Sequence, residues 1–184
     1  MYRMTLRYLS PQVVSRRAFH SSRWSAIQTG EPIPNTVLQE KSPANTVNAH
    51  DFFQPYQKAV LIGVPGAFTP GCSRTHVPGY VTDFDQLHAK GVDMVACVSV
   101  NDAFVMDAWS QQIDKHGKLR FLADPRAELV RAMDLAFDAS GVLGGLRSKR
   151  FAMVLEHGVV KRLEVEPDNT GLSCSLAKNL VEIL

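Results

Sequence analysis

Apolar positions fall into short runs separated by turn-forming residues. Ala59-Val60-Leu61-Ile62-Gly63-Val64 and Val92-Asp93-Met94-Val95-Ala96-Cys97-Val98-Ser99-Val100 are almost continuously apolar. That is the pattern of strands buried on both faces, and neither run is long enough to cross a membrane. Leu119-Arg120-Phe121-Leu122 reads as a shorter strand. Phe151–Leu155 and Val159–Val165 flank His157-Gly158, which predicts a two-residue hairpin. Helical spacing appears between these runs. Tyr80, Phe84 and Leu87 share one face of a helix that follows Cys72 and ends at Gly91, with Pro78 bending it. Asn101 or Asp102 caps a helix through Phe104, Ala108 and Trp109 to about His116-Gly117, with Phe104 and Trp109 on one face. Asp124-Pro125 opens a helix over 127–135, with proline in its first turn, and a last helix covers 175–184. Upstream, 36–39 reads as an edge strand paired with 46–48, and 49–53 as a helical turn. Residues 141–145 and 166–171 read as loops.

The resulting order is strand, helix, strand, helix, strand, helix, hairpin, helix. It predicts an α/β domain with a mixed central sheet and helices on both faces. The 184 residues suit one domain, assigned to 27–184, and the 45% apolar and 21% charged content is that of an ordinary soluble protein. Residues 1–26 differ. They hold Arg3, Arg7, Arg16, Arg17 and Arg23, several serines, interspersed apolar residues and no acid. This composition predicts a mitochondrial transit peptide. Arg17-Ala18-Phe19-His20-Ser21-Ser22 resembles a two-step processing site that would leave Ile27 at the mature terminus. The expected location is the mitochondrial matrix, with a possible additional cytosolic pool. The C-terminal Val181-Glu182-Ile183-Leu184 is not the Ser-Lys-Leu peroxisomal address. Removing the five arginines moves the formal charge from +2 to −3. The basic balance thus belongs to the leader and gives no argument for nucleic acid.

Three cysteines are too few for a disulfide framework. Cys72 ends the loop Val64-Pro65-Gly66-Ala67-Phe68-Thr69-Pro70-Gly71-Cys72, where a strand passes into the first turn of a helix. Unpaired N–H groups and the helix dipole favour a thiolate there. A free cysteine is ordinarily a small buried apolar residue. The loop-forming flanks and the hydroxyl of Thr69 argue for reactivity instead. Cys97 lies mid-strand and reads as buried and inert. Cys72 and His76 share a helix face, but zinc needs about four ligands and no second Cys/His pair is present. His76 is expected to order the loop by hydrogen bonds.

Pro65-x-x-x-Thr69-x-x-Cys72 matches the peroxiredoxin active-site pattern. The run from Gly63 to Tyr80 resembles the atypical two-cysteine, type 5 subfamily, and the similarity extends from about Ile33 to Leu184. The resemblance implies a thioredoxin-like fold and reduction of hydrogen peroxide, alkyl hydroperoxides and peroxynitrite. Cys72 would be the nucleophile, Thr69 would hydrogen-bond the peroxide, and Pro65 would shield the sulfur. Gly66 and Gly71 permit close backbone approach. Spacing alone does not choose among Arg147, Lys149 and Arg150, which otherwise read as a solvated basic edge; the resemblance assigns Arg150 as the cation at the sulfur. It likewise places the resolving cysteine at Cys174. There the reduced sulfurs would start too far apart to bridge, and an intramolecular Cys72–Cys174 disulfide would be recycled by thioredoxin. No cofactor or metal is implied. The other partners implied are the peroxide substrates and a possible homodimer, with no nucleic acid and no membrane. The rival readings are a one-cysteine peroxidase recycled by glutathione or glutaredoxin, and a redox-signalling relay without efficient turnover. A general disulfide oxidoreductase lacks its Cys-x-x-Cys.

Overall fold

The computed structural model describes residues 26–184, so the expected leader lies outside the described residues except for Ala26. Seven strands form one mixed sheet in the order β2-β1-β5-β4-β3-β8-β9. Their ranges are β1 Val37–Glu40, β2 Ser42–Asn48, β3 Ala59–Val64, β4 Met94–Ser99, β5 Arg120–Ala123, β8 Phe151–Glu156 and β9 Val159–Val165. Strands β3, β4 and β5 are parallel, and β8 runs antiparallel to β3. The two continuous apolar runs thus become adjacent central strands, buried at every position.

Alternation along the strands separates two cores. Val60, Ile62 and Val64 of β3, with Val95 and Cys97 of β4, face one side. Four helices cover that side: α2 Val77–Thr82, α3 Phe84–Ala89, α4 Ala103–Ile113 and α7 Ala177–Ile183. Leu61, Ala96, Val98 and Met153 face the other side, against α1 Ala49–Phe53 and α5 Glu128–Ala132. This is the expected α/β architecture, a mixed sheet with helices on both faces, in a thioredoxin-like arrangement. The 157–158 hairpin also forms, with His157 at φ 48° and Gly158 at φ 77°, the pair of positive angles such a turn requires.

Several local expectations need correction. The helix after Cys72 is not continuous. Cys72–His76 is a π-helical turn, in which the Val77 N–H donates to the Cys72 carbonyl, and Asp83 separates α2 from α3. Pro78 explains the π turn. It has no N–H to give Arg74, and its ring crowds that carbonyl, so the distortion falls one turn before the proline. Residues 124–127 stand outside α5, because Ala127 adopts φ 56° and stops the helix from starting earlier. Asp124 instead caps α5 through its carboxylate, which accepts from the N–H groups of Glu128 and Val130 at 2.8 and 3.1 Å. Residues 141–145 are not wholly loop: α6 Ser140–Leu143 sits between β6 Ala136–Asp138 and β7 Leu146–Ser148, which pair as a separate ribbon. The 103–113 helix buries Trp109 but leaves Phe104 63% exposed, so the two do not share a face. The last helix begins at Ala177 rather than 175.

Candidate active site

The loop that leaves β3 is held open by side chains from β4 and beyond. The Asn101 carboxamide oxygen accepts from the Ala67 N–H at 3.0 Å and from the Ser99 hydroxyl at 2.8 Å. Helical backbone starts at Pro70, where the missing N–H costs nothing. The Ser73 N–H returns to the Thr69 carbonyl at 2.9 Å, which makes Thr69 the N-cap. Its hydroxyl does not cap the helix. It donates to the Gly66 carbonyl at 2.9 Å, which leaves its oxygen lone pairs free to accept. Cys72 is therefore the third helical residue. Its N–H and that of Gly71 precede the first internal bond and are available to an anion.

Cys72 is completely buried, yet its sulfur is not in a purely apolar environment. The Arg150 Nη1–H donates to Sγ at 3.3 Å. Arg150 stands just before β8, the antiparallel neighbour of β3, so sheet register brings residues 72 and 150 together. Arg150 is 3% exposed and tightly held. Its Nε–H donates to the Thr170 carbonyl at 3.1 Å, its backbone N–H to Asn169 at 2.7 Å, and its carbonyl accepts from the Glu166 N–H at 3.0 Å. Gly71 lies close beside it: a Cβ there would lie 3.1 Å from Nη2, so the guanidinium would have to shift. The rest of the basic cluster is used elsewhere: Arg147 donates to the carbonyls of Val100 and Leu143, and Lys149 to that of Asp134.

Pro65, Thr69, Gly71 and Arg150 line an open cleft of about 620 Å³, completed by Pro70, Thr170 and the apolar residues Phe137, Ala139, Val142 and Leu143. Cys72 does not form its wall; the arginine bonded to its sulfur does. The β6–α6–β7 segment, read from the sequence as a loop at 141–145, supplies the apolar side.

His76 orders the site as expected. Its Nε2 donates to the Ser175 carbonyl at 2.9 Å, and the Tyr80 hydroxyl donates to the same oxygen at 2.7 Å. Burial, reinforced by the nearby Arg150 charge, lowers the His76 pKa to about 3, so the ring is neutral near pH 7. Because a carbonyl only accepts, Nε2 carries the proton. Trp109 on α4 steadies the neighbouring residue, its indole N–H donating to the Ser73 hydroxyl at 3.0 Å. Cys97 is buried in β4, and burial pushes its thiol pKa well up, as an inert cysteine requires. Among the described residues no cluster of His, Cys, Asp or Glu is arranged to hold a metal ion.

Cys174 is half-buried in the loop before α7, and all three thiols are free. The Glu166 carboxylate gathers this loop and was not anticipated from the sequence. It accepts from the N–H groups of Ser173, Cys174 and Ser175 at 2.8, 3.0 and 2.9 Å. It also accepts from the hydroxyls of Ser173 and Ser175 at 2.5 and 2.7 Å. An acid in a polar loop reads as a solvated charge, so only coordinates expose this role.

The Redoxin family profile matches residues 28–181. Peroxiredoxin-2E-2, chloroplastic, of Oryza sativa subsp. japonica is 40% identical over 87% of this chain and 73% of its own. The structure is similar to that of reduced Prx3 from Vibrio vulnificus in complex with hydrogen peroxide. That similarity has a TM-score of 0.79 and 42% identity, covering 86% of this chain and 99% of that one. Peroxiredoxin 5 from Alvinella pompejana gives a TM-score of 0.73 at 38% identity, over 80% of this chain and 95% of its own. A buried cysteine at a helix start, bonded to an arginine on a thioredoxin-like sheet, accords with these matches: the chain belongs to the peroxiredoxins, a family of thiol-dependent peroxidases.

Proposed function

We propose that Cys72 is the peroxidatic nucleophile, that Cys174 resolves its sulfenic acid, and that thioredoxin reduces the resulting disulfide. The observation that carries this reading is the 3.3 Å Arg150 Nη1–Sγ contact beside the cleft that Pro65 and Thr69 line. The Cys72 thiolate attacks the terminal peroxide oxygen. The O–O bond breaks, the sulfur is oxidised to a sulfenic acid, and water or an alcohol leaves once protonated. Arg150 fixes sulfur and oxygen in one geometry, and the Thr69 oxygen and the N–H groups of residues 71 and 72 complete a polar cradle for developing charge. The Cys174 sulfur then attacks the sulfenic sulfur, forming S–S and releasing water. The apolar wall supports alkyl hydroperoxides as substrates beside hydrogen peroxide and peroxynitrite. Such turnover would serve antioxidant defence and peroxide signalling.

Complete burial of Cys72 supports an opening of both loops before the sulfurs can meet. Ile27 packs in the core and its N–H bonds the Met133 carbonyl at 3.1 Å, which supports a folded domain that includes residue 27; the acid-free, arginine-rich composition of residues 1–26 supports import into the mitochondrial matrix.

The test is NADPH-coupled turnover with a thioredoxin system and, separately, with glutathione and glutaredoxin. The reading predicts sustained turnover with thioredoxin, none in Cys72→Ser, and loss of thioredoxin recycling but not of the first turnover in Cys174→Ser. Turnover with glutaredoxin alone would move this protein to the one-cysteine mechanism. Reaction with peroxide but no turnover with either donor would make it a relay.

A further inference from the structure

Glu166 is 1% exposed, and among the described residues it makes no salt bridge. A buried carboxylate without a cation is costly unless hydrogen bonds replace its water. Here the replacements all come from Ser173, Cys174 and Ser175. Their three successive N–H groups converge on Oε1, and the two serine hydroxyls add one bond to each carboxylate oxygen. Successive N–H groups around an anion form a nest, and each such bond is charge-assisted. Burial opposes ionisation, but these bonds outweigh it and hold the Glu166 pKa at about 2. The Cys174 thiol pKa moves the other way, raised first by burial and then by the Glu166 charge.

The nest sits within a longer circuit. The Glu166 backbone N–H bonds the Arg150 carbonyl, and the Arg150 side chain bonds the Cys72 sulfur. From the opposite side, His76 and Tyr80, on the helical run that carries Cys72, both donate to the Ser175 carbonyl. The loop carrying Cys174 is thus fastened to the same arginine strand and the same helical run that hold Cys72.

We infer that Glu166 is a latch on the resolving loop, a positioning residue that sets how fast Cys174 reaches the Cys72 sulfenic acid. The inference rests on Cys174 being the resolving cysteine. While the latch holds, Cys174 is fixed in its reduced-state position. Bridge formation must break the nest. The delay leaves the sulfenic acid open to a second peroxide, which oxidises it to sulfinic acid while the peroxide is reduced to water or alcohol. The latch therefore sets the balance between recycling and inactivation.

Glu166→Gln tests this, since its amide removes the charge and turns one acceptor into a donor among donors. Stopped-flow tryptophan fluorescence on the full chain would follow sulfenic acid formation and then disulfide formation. The second phase should speed up ~10-fold, the effect of losing about one charge-assisted hydrogen bond. The first phase should stay within about twofold, since an outlying contact leaves the nucleophile in place. At a fixed peroxide dose, sulfinic acid measured by mass spectrometry should fall accordingly. Ser173→Ala/Ser175→Ala removes only the two hydroxyl donors and should give a smaller acceleration, which keeps the test available if Glu166→Gln does not fold. A second phase unchanged or slowed in the folded variants, with undiminished sulfinic acid, would overturn the latch. If the unsubstituted protein forms no Cys72–Cys174 bond at all, the resolving assignment fails instead, and the two failures are distinguishable.

Discussion

On the proposed reading, the Arg150 contact with Sγ at 3.3 Å is what makes a buried cysteine a reaction centre. A guanidinium offers several donors in one rigid plane, so it can hold the sulfur while another N–H meets a peroxide oxygen; a lysine ammonium cannot reproduce that fork. Arg150→Lys should lower the second-order rate constant with peroxide ~100-fold, comparable to losing one preorganised donor at a developing oxyanion. A rate within a few-fold of the original would show that charge alone suffices. His76 gives a pH prediction. The unfolded chain takes up this proton near 6.5, whereas the folded ring resists until about 3, so stability falls as pH drops across that interval. Glu166 adds to the loss lower down, since its folded pKa of about 2 lies below the ordinary 4.5. In urea unfolding, lowering the pH from 7.5 to 5.5 should cost the native protein about 1.4 kcal/mol more than it costs His76→Gln. Equal losses would mean that the folded ring takes up its proton as readily as the unfolded chain does. At this scale Pro65, Thr69 and Cys72 were legible because they lie within one loop at fixed spacing. Arg150 was legible only through family resemblance: it is 78 residues away, and Arg147 and Lys149 offer the same charge nearby. Glu166 was not legible, because nothing in Glu166-Pro167-Asp168 distinguishes a buried anion from a solvated one.

The strands were readable because burial on both faces leaves an unbroken apolar run. The elements around the cleft were not, for identifiable reasons. Ser140-Gly141-Val142-Leu143-Gly144-Gly145 has the composition of a loop, and Val142 of α6 is 87% exposed, so no amphipathic pattern marks the helix. Pro78 was correctly read as a disturbance, but its effect falls on the preceding turn and gives Cys72 its π-helical setting. Two glycines show how closely the elements fit. Gly63 on β3 pairs with Phe151 on β8, and a Cβ there would lie 2.0 Å from the phenyl ring. Gly63→Ala should destabilise the fold by about 1–3 kcal/mol, the range for overpacking a core, seen as a lower urea midpoint. Gly71→Ala should leave that midpoint nearly unchanged while slowing peroxide reduction, because its Cβ, 3.1 Å from Nη2, displaces the Arg150 guanidinium by a few tenths of an ångström. Equal activity in Gly71→Ala and the native protein would show that the arginine can shift without consequence.

For the molecule as a whole, one sheet assembles a site from distant parts of the chain. β3 delivers the loop and Cys72, β8 delivers Arg150, and the segment after β9 returns with Glu166 and Cys174. The same connectivity makes the reduced site a closed structure, in which Cys72 is inaccessible and the loop of Cys174 is tied down. On the proposed mechanism, disulfide formation therefore requires local opening within a stable fold. The most direct test of this account is thiol mapping of the folded chain after one equivalent of hydrogen peroxide, with free thiols blocked and linked peptides read by mass spectrometry. The account predicts a Cys72–Cys174 bond within one chain, with Cys97 blocked as a free thiol once the protein is denatured. A sulfenic acid or mixed disulfide on Cys72 beside a free Cys174 would contradict the resolving role, and an unoxidised Cys72 would contradict the central claim.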